Sequence, residues 1–79
     1  MEFKVGDRVV YTGKYKIASG RYIDKEGSVV KVGRPYPTRP QEQIYDVLFD
    51  LDITLEGNHI RRMYLANLEL VNRVPDWEV

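Results

Sequence analysis

The chain has 79 residues, of which 43% are hydrophobic and 30% charged, with no cysteine and a formal net charge of zero. That length allows one core rather than two, and the composition excludes the apolar-poor profile of a disordered chain. No run approaches the ~20 apolar residues of a membrane span, and without cysteine neither disulfide staples nor thiolate metal sites are available.

Charge is uneven along the chain. Residues 1–41 hold nine Lys/Arg against four Asp/Glu, and residues 42–79 hold three against eight, giving balances of +5 and −5. Kept apart on the surface, the halves would make one anion-attracting face; interleaved by strand pairing, they would make an ordinary mixed surface. The first residues, Met1 to Asp7, lack the apolar core of a signal peptide, and a cytoplasmic setting is expected.

Short β-branched or aromatic runs punctuated by Gly, Pro, Asp and Asn predict an all-β fold. A first strand is expected at Asp7–Thr12, ended by Gly13, and a second at Glu26–Val32, beside Gly27. The third and longest, Gln43–Leu55, alternates Tyr45, Val47, Phe49 and Leu51 with Asp46, Leu48, Asp50 and Asp52, which predicts one core face and one solvated face. Glu56-Gly57-Asn58 suits a tight hairpin, from which the chain returns through His59–Tyr64. Leu65-Ala66-Asn67 reads as one helical turn and Leu68–Val71 as the last strand. The expected core is Val9, Val30, Val47, Phe49, Leu68 and Leu70.

Phe3-Lys4-Val5-Gly6-Asp7-Arg8-Val9-Val10 resembles the opening "x-x-V-G-D-x-V" of KOW-type small barrels, and Lys25 to Val32 resembles their "K-G-x-x-G-x-V-x-x-V" segment. Tyr45 to Asp50 followed by Leu65 to Val71 is similar to the closing half of many small bacterial and phage-encoded barrels. The likeness spans residues 3–72. It implies a five-stranded SH3-like barrel over residues 1–72, with one short helical turn before the last strand and residues 73–79 as a C-terminal extension. It also implies a binding module, since such barrels bind RNA, DNA and proteins alike. The Lys14–Lys25 connection is longer than a standard KOW turn, and the paired tryptophans of proline-binding SH3 domains are missing.

The inventory for chemistry is thin. Ser19 and Ser28 are the serines and His59 the lone histidine, so no catalytic residue, metal ligand set or cofactor is expected. Asp46, Asp50, Asp52 and Glu56 lack the ligand spacing of a calcium loop and read as a solvated strand face. Arg61 or Arg62 is expected to pair across to Asp50 or Asp52. The two long connections hold a basic and aromatic group: Lys14, Tyr15, Lys16, Arg21 and Tyr22 in the first, Arg34, Tyr36 and Arg39 in the second. Cations beside rings would suit nucleic acid; alternatively, the rings cover the ends of the fold and the cations keep it soluble. Trp77 either folds back or anchors a partner.

These readings converge on a non-enzymatic module that binds a host or self protein through its two long loops, with Lys14, Tyr15, Lys16, Arg21, Tyr22, Arg34, Tyr36, Arg39 and Trp77 as the contact residues. Balanced charge favours a protein over a phosphate track. Binding of RNA or DNA is the alternative, and a membrane partner is not expected. The resemblance to phage-encoded barrels implies inhibition of a host factor as one such role.

Overall fold

A computed structural model describes residues 2–15, 20–34 and 38–71. Five strands follow in chain order: β1 (Arg8–Tyr11), β2 (Glu26–Val32), β3 (Ile44–Ile53), β4 (Asn58–Tyr64) and β5 (Leu68–Leu70). They form one antiparallel sheet in the order β4-β3-β2-β1-β5, which among the described residues is not closed on itself. Short 3-10 turns at Gly20–Tyr22, Pro40–Glu42 and Leu65–Asn67 interrupt the connections. No described helix is long and apolar enough to cross a membrane.

All five strands point side chains into one cluster, so the sheet curls around its own inner face. Val9 and Tyr11 come from β1, Val29 from β2, Tyr45, Val47 and Phe49 from β3, Met63 from β4 and Leu68 from β5. Phe3 and Tyr22 enter from outside the strands and complete it. Phe3 is held edge-on to Tyr45, and its amide donates to the Tyr45 hydroxyl at 3.1 Å. Ahead of β1, Gly6 at φ +96° allows a turn in which the Asp7 carboxylate accepts from the Lys4 amide at 3.0 Å. Gly27 is buried where β2 lies against β3, so close that a Cβ there would stand 2.7 Å from the Leu48 carbonyl oxygen.

Two expected core residues lie outside the core. Val30 is 39% exposed while Val29 is buried, because adjacent strand residues point to opposite faces and Val29 shares the inward face with Gly27. Leu70 is 42% exposed, and β5 contributes Leu68 alone to the cluster. The alternation along β3 slips. Tyr45, Val47 and Phe49 are buried, Leu51 is half-buried and Asp52 turns inward, beside an irregularity in the β3–β4 ladder between Leu48 and Ile53. Of the four carboxylates expected in solvent, Asp50 and Glu56 are exposed, Asp46 is half-buried and Asp52 is buried.

The two charge halves are interleaved. The Arg8 guanidinium grips Asp50 at 2.9 and 2.6 Å, lies 2.9 Å from the Ser28 hydroxyl, and reaches Glu26 at 3.6 Å. Lys14 meets Glu69 at 3.6 Å, and Arg39 meets Glu42 at 3.8 Å. Cations of the first half thus sit against carboxylates of the second, and the mixed-surface reading prevails among the described residues.

Candidate functional site

Asp52 forms the most elaborate polar cluster. It is 7% exposed, yet the Tyr22 hydroxyl donates to it at 2.7 Å, and Arg61 Nε donates to that same hydroxyl at 2.8 Å. Arg21 and Arg61 each lie 3.8 Å from the carboxylate, and both guanidiniums stand 5.7 Å from the centre of the Tyr22 ring. A buried charge is tolerated only with such partners, so the cluster ties the first connection to β3 and β4. Arg61 is the arginine that reaches Asp52, as cross-strand pairing suggested, and its Nη2 lies 3.2 Å from His59 Nδ1.

Tyr22 was expected as a ring presented to a partner. At 3% exposure, packed 4.5 Å from Phe49 between ring centres, it belongs to the core instead. The expectation failed because the 3-10 turn at Gly20–Tyr22 swings the ring inward, where Asp52 near the end of β3 supplies an acceptor for its hydroxyl.

The two long connections meet through Tyr15. Its hydroxyl donates to Glu42 at 2.6 Å, its amide donates to the Asn67 side chain at 2.7 Å, and its ring packs edge-on to Tyr64. Tyr15 is thus half-buried and occupied at both ends, with Lys14 and Arg39 exposed beside it. Arg34 lies elsewhere, in a cleft of about 390 Å³ lined by Lys31, Gly33, Arg34, Ile44, Asp46 and Arg62. Lys16, Tyr36 and Trp77, with the whole of 73–79, fall outside the described residues. The structure therefore separates the basic and aromatic group into three places: around Asp52, around Tyr15, and in the Arg34 cleft.

The exposed apolar side chains went unnoticed in the sequence. Leu55 stands fully in solvent at the β3–β4 turn, and Ile53 and Ile60, on the strands either side, are 56% and 47% exposed. The turn is held by backbone and hydroxyl contacts between Thr54 and Gly57, so Leu55 is presented on a fixed support. Nothing in the sequence warned of this, since Leu55 falls in phase with Tyr45, Val47, Phe49 and Leu51, and only the slip near Asp52 leaves it in solvent.

Among the described residues, no group of three or more His, Asp or Glu side chains is placed to hold a metal ion. The Asp50 carboxyl titrates below its ordinary range because Arg8 hydrogen-bonds and attracts its anion, and Arg8 is correspondingly raised. Comparison with known proteins gives no match to a protein family, to a curated protein or to a solved structure.

Proposed function

We propose that this chain is a non-enzymatic module that binds another protein, and that the β3–β4 hairpin is its contact surface. The carrying observation is that Ile53, Leu55 and Ile60 are all exposed on one hairpin whose turn is held by contacts between Thr54 and Gly57. Exposed aliphatic groups on such a support fit a protein partner, which removes them from water, better than a nucleic acid, which needs cations and open rings. Tyr22 and Tyr15, the rings that would have stacked on bases, are engaged inside the molecule. The absence of cysteine and the single histidine of the sequence support a role other than catalysis.

The succession of strand, long connection, strand, connection, strand, tight turn, strand, 3-10 turn and strand supports an SH3-like architecture. Binding of nucleic acid is the second reading, favoured by the cations of the Arg34 cleft. The test is capture from cell lysate with and without nuclease, using the parent and an Ile53→Ser, Leu55→Ser double variant. The expected result is nuclease-resistant capture that the double variant loses while keeping its circular dichroism spectrum. Capture abolished by nuclease, or unchanged in the double variant, overturns the reading.

A further inference from the structure

Among the described residues β4 pairs with β3 on one side and has no strand on the other. The Leu65 amide donates to the Gln43 carbonyl at 2.8 Å, and the register runs regularly from Ile44↔Tyr64 to Leu48↔Ile60. In an antiparallel ladder, residues alternate between facing the partner strand and facing away. Leu65, Met63 and Arg61 thus turn their backbone groups to β3, while Ile60 and Arg62 turn theirs to the open edge.

The side chains on this edge are one-sided in charge. β4 reads Asn-His-Ile-Arg-Arg-Met-Tyr, with two arginines and no carboxylate. Arg62 is 81% exposed and reaches Asp46 only at 3.9 Å, and Lys31, paired in register with Asp46, and Arg34 share its cleft. Three cations surround one carboxylate there. Ile60, half-exposed two residues before Arg62, adds an apolar position on the same face.

We propose that the open edge of β4 takes up an extended acidic segment of a partner protein as a sixth strand, with a carboxylate opposite Arg62 and an apolar side chain opposite Ile60. Backbone pairing with Ile60 and Arg62 supplies affinity, and the alternate positions supply selection for an acidic-x-apolar pattern. A second copy of β4 fits poorly: full antiparallel overlap of Asn58–Tyr64 sets Arg61 against Arg61. This inference rests on the protein-binding reading and names the partner's chemistry.

The probe is a capped eight-residue peptide repeating Glu-Thr-Val-Thr, which carries Glu and Val two residues apart on one face of an extended strand, added to the 15N-labelled full chain. The expected result is slowed exchange of the Ile60 and Arg62 amides, binding weakened roughly fivefold by Arg62→Glu and restored to that variant by the peptide with Lys in place of Glu. Binding should fall about tenfold or more when the peptide is N-methylated at alternate residues, which removes its donors but not its charge. Equal binding of the methylated peptide overturns strand addition even if Arg62→Glu proves unstable. Stronger perturbation of the same amides by oligothymidylate assigns the edge to nucleic acid, and concentration-dependent dimerisation without peptide assigns it to a second copy; either overturns the proposal. Failure of the peptide alongside loss of lysate capture by the Leu55 double variant overturns the edge assignment and leaves the protein-binding reading standing.

Discussion

The Tyr22 hydroxyl donates to the buried Asp52 carboxylate at 2.7 Å and accepts from Arg61 Nε at 2.8 Å, so one phenol oxygen bridges a buried acid and a base. Tyr22→Phe keeps the ring against Phe49 and deletes only that bridge. It should lower unfolding free energy by about 1–3 kcal/mol, the penalty for depriving a buried charged group of a hydrogen bond. Urea unfolding checks it, and a Tyr22→Ser change should cost more, about 3–5 kcal/mol, because the core loses the ring as well.

The opposite faces of Val29 and Val30 predict unequal costs. Val29→Ala should destabilise by about 1–2 kcal/mol through lost burial, and Val30→Ala by less than about 0.5 kcal/mol. Phe49→Ala, at a position with no exposure that meets both Tyr11 and Tyr22, should cost about 3–5 kcal/mol. Thermal and urea melts of the three variants rank them.

Strand positions were readable because β2, β3 and β4 carry strong β-formers bounded by Gly, Pro and Asn, and Glu26–Val32 was placed to the residue. The turn at Leu65–Asn67 was equally visible. What could not be read was which residues face inward. Val29 and Val30 are chemically identical and must face opposite sides, so the sequence does not mark which of the two is buried. Asp52 followed an alternating pattern that predicted solvent, and only a ring and two arginines from distant segments make its burial tolerable. Tyr22 was misplaced for the complementary reason: a tyrosine in a long connection is equally consistent with a presented ring and with a lid.

Gly27 should resist substitution. A Cβ there would stand 2.7 Å from the Leu48 oxygen, 2.9 Å from the Phe49 Cα and 2.9 Å from a Val47 methyl, and two of those three neighbours are backbone that cannot rotate away. Gly27→Ala should destabilise by about 1–3 kcal/mol, with amide shifts concentrated along β2 and β3 in the NMR spectrum. Gly20→Ala, where a Cβ meets nothing within 4 Å, is the neutral control.

Asp50 gives a pH signature. Its pKa is lowered in the folded chain by Arg8, so the pair adds stability at pH values above the ordinary carboxylate range. That contribution is lost as pH falls through the folded value, where the carboxylate takes up a proton. Because the two side chains are 35% and 53% exposed, the gain is screened and should stay below about 1 kcal/mol. Asp50→Asn should therefore be slightly less stable than the parent at pH 7, with the difference shrinking as pH falls through the lowered folded-state value, the measurement being urea midpoints from neutral to acidic pH at low salt.

β1 lies between β2 and β5 although it is first in the chain, and Val9 is in register with Leu70. During synthesis, β2, β3 and β4 can pair as a meander as soon as each emerges, since each neighbours the next. β1 can dock on β2 early, but its other edge stays open until β5 leaves the ribosome. Of the five described strands, the last made therefore covers the first, and a stalled or truncated product lacking Leu68–Leu70 would display the β1 edge to its neighbours. Such products should be the species most prone to aggregate and the first to be cleared by proteases.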